Sequence, residues 1–76
     1  MDVNAAIVAV RDECPNEYAR TYATAAMTAA TLYGTEGLRV QVQYILANAG
    51  NWRGERARKV KAALRAWLKN GKEARR

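Results

Sequence analysis

The sequence contains no histidine, no serine and no phenylalanine, a single cysteine and a single proline. Without histidine or serine, one chain cannot assemble the Ser–His or Cys–His pairs of nucleophilic catalysis. Cys14 alone can form neither an internal disulfide nor a cysteine metal cluster. Walker-type phosphate loops and GxGxxG turns are also missing. We therefore expect the protein not to be an enzyme and to carry neither a metal ion nor another cofactor.

Long apolar runs are also missing. The run at residues 5–10 has six residues, which is too short for a signal peptide or for a membrane span. A basic amphipathic helix could lie on an anionic membrane, but the chain needs the apolar face of that helix for its core. We expect a cytoplasmic protein that does not associate with membranes.

Large aliphatic side chains are scarce, and alanine takes their place. Leucine, isoleucine and valine make up 13 of the 76 residues, whereas alanine makes up 16. Alanine is the strongest helix former, and the apolar residues recur at helical spacing. The sequence predicts an all-α fold, a compact bundle of three to four short helices in one domain (1–71), followed by a frayed basic tail (72–76). Because so small a core gives marginal stability, a homodimer is an alternative.

Two helices are predicted in the first half of the chain. Asp2 or Asn4 caps the first helix, which ends before Pro15. Its buried face comprises Val3, Ala6, Ile7 and Val10. Pro15 is expected in the first turn of the second helix, which runs from about residue 16 to residue 33 and ends at Gly34. Its apolar stripe is predicted to comprise Tyr18, Tyr22, Ala25, Ala29 and Leu32, widened by Ala19, Ala23, Ala26, Ala30 and Tyr33.

Residues 38–49 fit two patterns. Apolar and polar residues alternate from Leu38 to Tyr44, which is typical of a strand. The same segment also has apolar residues at helical spacing. We favour a helix, because a lone strand would have no partner in this chain. The alternative is a ribbon-helix-helix protein with Arg39, Gln41 and Gln43 in a major groove, but too few residues follow such a strand before the break at Gly50.

The last helix is predicted from about Gly54 to residue 70, with Gly71 as its stop. Its expected buried face comprises Ala57, Val60, Leu64, Trp67 and Leu68. At 100° per residue, a basic stripe falls within an arc of about 80° next to that face. The stripe comprises Arg58, Lys61, Arg65, Lys69 and Lys72. Arg56 and Lys59 fall on the other flank of the helix.

Charge is distributed unevenly along the chain. Residues 1–50 carry a net charge of −2, and residues 51–76 carry +8. Cations one helical turn apart can neutralise phosphates and release their counterions. We therefore expect binding to a nucleic acid, favouring duplex DNA. The expected phosphate contacts are Arg58, Lys61, Arg65 and Lys69, assisted by Lys59, Lys72 and Arg53.

Other interpretations of these features stay open. The basic stripe could be a solvated surface or could bind an acidic protein. A protein-interaction module or a phage-encoded modulator could use the apolar residues Tyr18, Tyr22, Tyr44 and Trp52. Trp52 could instead cover the core or stack on a base. Residues 50–54 could be the turn of a helix-turn-helix with the basic helix as its recognition helix. The fit is poor, because this break is longer than the usual turn of such a motif.

The acidic residues near Pro15 have a simple interpretation. Asp12, Glu13 and Glu17 could bind a hard cation such as Mg²⁺, but solvated turn carboxylates are favoured. Cys14 lies near a helix N-terminus, where a thiolate is stabilised. Its acidic neighbours oppose that effect, so we expect a small, partly buried side chain.

The second half of the chain contains a series of short segments that carry a resemblance. They are residues 33–38 (YGTEGL), Tyr44-Ile45-Leu46 and residues 52–55 (WRGE), followed by Ala57-Arg58 and Val60-Lys61. On these segments the chain resembles a class of small proteins of prophages and other mobile elements. The resemblance implies no catalytic or ligand-binding residues, and no function follows from it.

Overall fold

The computed structural model describes the backbone of residues 1–74 and the side chains of residues 1–70. It comprises α1 (Val3–Glu13), α2 (Glu17–Asn48) and α3 (Glu55–Ala74). Over residues 1–74 there is no strand, so the all-α prediction is confirmed. Helix α1 contacts both other helices, and the contact between α2 and α3 is the least extensive.

The first two helices begin at side-chain caps. Asp2 accepts a hydrogen bond from the backbone N–H of Ala5 at 2.8 Å, and Asn16 accepts one from that of Ala19 at 3.0 Å. Each cap satisfies a donor that the first helical turn leaves free. Because Asn16 takes the cap position, Pro15 lies outside α2. The prediction that Pro15 occupies the first turn of this helix is wrong.

Helix α2 is bent at Gly34. This residue has φ 67° and ψ −152°, a conformation that is almost restricted to glycine. We call residues 17–33 the first arm of α2 and residues 35–48 the second arm. The predicted helix end at Gly34 therefore appears as a bend, and the two helices predicted on either side of it are the two arms of α2.

The two arms fold back on each other. The rings of Tyr22 and Tyr44, one on each arm, have centroids 5.1 Å apart. Close to the bend, a Cβ added at Gly37 would lie 2.7 Å from the Cβ of Tyr33. Such a distance is too short for two carbon atoms, so the backbone conformation here requires glycine at position 37 as well as at the bend.

The second arm confirms the helical prediction for residues 38–49. Leu38, Val42 and Ile45 are buried, and their spacing places them on one face of a helix. The strand interpretation, and with it the ribbon-helix-helix alternative, is wrong. The apolar alternation that suggested a strand arises because Val40 and Tyr44 lie on an exposed face of the same arm.

The core is built from alanine and a few larger side chains. Val10, Val42, Ile45, Val60 and Leu64 are its largest fully buried aliphatic residues. The predicted faces of α1 and α3 are inside, with Val3, Trp67 and Leu68 partly buried at the edge.

The predicted stripe of the first arm is wrong in part. Its buried residues are Ala19, Ala23, Ala26 and Ala29, whereas Tyr18, Leu32 and Tyr33 are at least 64% exposed. The small alanines face the rest of the core, so Tyr18, Leu32 and Tyr33 remain at the surface, whereas Tyr22 is partly buried against the core.

Helix α3 continues beyond Gly71 to Ala74. The predicted stop at Gly71 is wrong, because the backbone of this glycine stays helical. The side chains of the expected basic tail (72–76) lie outside the described residues. Of the helices in the described part of the chain, none combines the length and the apolarity needed to cross a bilayer.

Candidate nucleic-acid interface

The rotation of α3 about its axis is set by its buried residues. Ala57, Val60 and Leu64 have no exposed surface, so the opposite side of the helix must face solvent. Arg58, Arg65 and Lys69 are exposed, and Lys61 is partly buried beside the core. The alanines that follow the stripe around the helix, at positions 62 and 66, are also exposed. They leave room for a large ligand to approach the cations.

The remaining predicted site residues are Lys59, Arg53 and Lys72. Lys59 lies on the other flank of α3, where it lines a shallow groove together with Arg56 and Met1. Arg53 is exposed in the segment that links α2 to α3. The side chain of Lys72 lies outside the described residues. We therefore use the name basic stripe below for Arg58, Lys61, Arg65 and Lys69.

One of the two cations on the other flank, Arg56, is neutralised within the protein. Arg56 donates from Nε and Nη2 to the two carboxylate oxygens of Glu13, each at 2.9 Å. Within residues 1–70, the other ion pairs are Arg11–Asp12 and Arg39–Glu36. The four cations of the basic stripe therefore have no ion pair with any described carboxylate, and their charge is available to a ligand.

The Arg56–Glu13 pair makes stability depend on pH. The hydrogen bond from Arg56, aided by its charge, holds the pKa of Glu13 below its ordinary value. Since the folded pKa is the lower one, the pair stabilises the folded state above the unfolded pKa and loses this effect as pH falls through the folded pKa. In urea titrations, we expect Glu13→Gln to be less stable than the parent at pH 7, with the difference shrinking as pH falls below the ordinary glutamate pKa of about 4.3.

A matched control for this prediction is Asp12→Asn. Asp12 is paired with its neighbour Arg11, and two adjacent residues can also interact in the unfolded chain. The pH-dependent loss of stability in Asp12→Asn should therefore be smaller than that in Glu13→Gln. A difference between Glu13→Gln and the parent that stays constant from pH 7 to pH 3 would contradict the role of the ion pair.

A groove continues the basic stripe onto α2. It has a volume of about 340 Å³ and is lined by Arg39 and Gln43 from the second arm and by Arg65, Leu68 and Lys69 from α3. The side chain of Arg39 is 16% exposed, and its Nη1 donates to the backbone carbonyl of Leu68 at 3.3 Å. The guanidinium group of Arg39 is thus held beside two cations of the stripe, Arg65 and Lys69.

Arg39 and Gln43 are not among the residues that the sequence predicts for this site. The sequence offers them only as strand residues of the ribbon-helix-helix alternative, which the helical second arm excludes. Their spacing of four residues does place them on one face of a helix. However, nothing in the sequence indicates which face of the second arm lies beside α3.

The aromatic residues divide between core and surface. Trp52 is 8% exposed and belongs to the core cluster, as expected for a residue that covers the core. It therefore presents little surface on which a base could stack. Tyr18 and Tyr44 are 64% and 49% exposed, and Tyr44 contacts Tyr22.

Two of the three acidic residues near Pro15 form ion pairs. Asp12 and Glu13 are in ion pairs, and the described residues contain no group of three histidine, cysteine or acidic side chains that could hold a metal ion. Cys14 is buried, and its carbonyl accepts a hydrogen bond from Arg20 at 2.7 Å.

The basic stripe and the adjoining groove are the strongest candidate site, and they must be interpreted from their own residues. No family model matches the chain, and no curated protein or solved structure matches it either.

Proposed function

We propose that the protein binds duplex DNA through contacts between the basic stripe and the phosphate backbone. The observation that carries this proposal is the contrast between Arg56 and the basic stripe. Arg56 is neutralised by Glu13, whereas the basic stripe has no ion pair with a described carboxylate. Uncompensated cations in a row favour a polyanion over a ligand with a single charge.

The dimensions of the stripe suit a duplex. Residues 58 to 69 of a helix span about 16 Å at 1.5 Å per residue. Over that length a DNA duplex carries about ten phosphate charges. Four cations can therefore each find a phosphate. Contacts of this kind position a protein on DNA without reading its sequence, so we expect weak sequence preference.

Salt dependence tests this proposal. With four phosphate contacts, the slope of log affinity against log salt concentration is about −3.6, and raising the salt from 50 to 200 mM weakens binding roughly a hundredfold. Fluorescence-polarisation titrations with labelled duplex DNA, single-stranded DNA and RNA at the two salt concentrations measure this effect. Absence of binding to the duplex at 50 mM salt would contradict the proposal, as would an affinity independent of salt.

The second candidate function is protein binding through exposed aromatic residues. The observation that favours it is the exposure of Tyr18, Val40 and Tyr44 on the two arms of α2, with Tyr44 in contact with the partly buried Tyr22. Exposed apolar surface of this kind is typical of interaction sites. A stable dimer in size-exclusion chromatography, together with no retardation of DNA at low salt, would favour this function over the first.

A further inference from the structure

We propose that the groove between the second arm of α2 and α3 holds a phosphodiester group of the bound DNA strand, contacted by Arg39 and Gln43 together with Arg65 and Lys69. This inference rests on the proposed function and extends the site from one helix to two.

The composition of the groove favours an anion. Of the five described residues that line it, three are cations, and the other two are Gln43 and Leu68. The carboxylate of Glu36, which pairs with Arg39, lies 3.6 Å from Nε of that residue, and the Glu36 side chain is 66% exposed. It does not line the groove. The described lining of the groove therefore carries an excess of positive charge.

Arg39 is held in a suitable orientation. Its Nη1 donates to the carbonyl of Leu68, and its Nε faces Glu36. These two contacts fix the plane of the guanidinium group, while Nη2 makes no hydrogen bond to the described residues. An arginine can use such a free edge to donate to a phosphate oxygen. Because the side chain is only 16% exposed, the interaction is screened less than at a fully solvated cation.

Gln43 supplies a neutral donor on the same side of the second arm. Its side chain is exposed at the rim of the groove, and its amide can donate to a phosphate oxygen without adding charge. A strand that follows the basic stripe along α3 passes Arg65 and Lys69, which line both the stripe and the groove. The strand thereby reaches the second helix without leaving the stripe.

Gln43→Glu tests this inference with little effect on the fold. The substitution conserves the size of an exposed side chain, keeps the Arg39–Leu68 hydrogen bond and introduces a carboxylate at the proposed phosphate position. We expect the affinity for a DNA duplex to fall about tenfold at 100 mM salt. The slope of log affinity against log salt should become shallower by about 0.9, which corresponds to one phosphate contact. Thr24→Glu is the matched control, since it changes net charge equally at an exposed position of the first arm, and it should alter affinity less than threefold.

The outcomes separate the two proposals. If Gln43→Glu binds the duplex as tightly as the parent and with the same salt slope, the groove is not part of the site, although the basic stripe can still be. An equal loss in Gln43→Glu and Thr24→Glu would also overturn the groove, because net charge alone would explain it. If the parent does not bind duplex DNA at 50 mM salt, both proposals fail. Thermal unfolding of each variant establishes that it is folded.

Discussion

Glutamate in place of Arg58, Lys61 and Arg65 is expected to abolish measurable binding to duplex DNA at 100 mM salt. Each phosphate contact adds about 0.9 to the slope of log affinity against log salt, so three lost contacts weaken binding on the order of a thousandfold. Repulsion between the new carboxylates and the phosphates adds to this loss. The fold should persist, because Arg58 and Arg65 are exposed, Lys61 is only partly buried and glutamate is a good helix former.

Gel retardation and fluorescence polarisation measure the loss, and far-UV circular dichroism reports the helix content. A pair of variants separates the position of charge from its amount. Glutamine at the same three positions and glutamate at the exposed positions Thr21, Thr24 and Thr28 each lower the net charge by three. Only the first of the two should lose most of its affinity.

Two results would contradict the role of the stripe. The reversed protein would bind as tightly as the parent if the stripe is not the site. The two variants of equal net charge would lose the same affinity if only overall charge matters. In the second case, the +8 charge of residues 51–76 would act as a diffuse attraction and not as a folded surface.

Helices with one clearly apolar face could be predicted from the sequence. On α3, the residues Ala57, Val60 and Leu64 were expected to be buried and are. Because these residues set the rotation of the helix, the exposure of Arg58, Arg65 and Lys69 follows from the same spacing. The basic stripe is therefore a consequence of local periodicity, which a sequence contains directly.

Features that depend on distant contacts could not be predicted. The first arm has small or apolar residues on several faces, so periodicity did not distinguish the buried Ala23 from the exposed Tyr18. Likewise, the groove exists only because Arg39 on the second arm meets Leu68, which is 29 residues away in the chain. The first residue of α2 could not be predicted either. Asn16 caps the helix through a hydrogen bond from the backbone N–H of Ala19, so Pro15 lies outside it.

Leu64→Ala is expected to destabilise the protein more than any conservative surface change. Leu64 is among the largest fully buried side chains of a core made mostly of alanine, and truncation of a buried leucine costs about 2–5 kcal/mol. A domain of this length has a total stability of roughly 4–11 kcal/mol. We expect the midpoint of thermal unfolding, followed by circular dichroism, to fall by at least about 10 °C.

Leu32→Ala is the matched control, because it makes the same chemical change at a side chain that is 65% exposed. Its effect should stay within about 0.5 kcal/mol. A Leu64→Ala variant that unfolds within a few degrees of the parent would show that Leu64 does not anchor α3 in the core.

The same variant links stability to binding. If the orientation of the basic stripe depends on this anchor, Leu64→Ala should lose affinity for duplex DNA at temperatures where it is unfolded and retain it where it is folded. Undiminished binding by the unfolded chain would mean that the cations act without the fold.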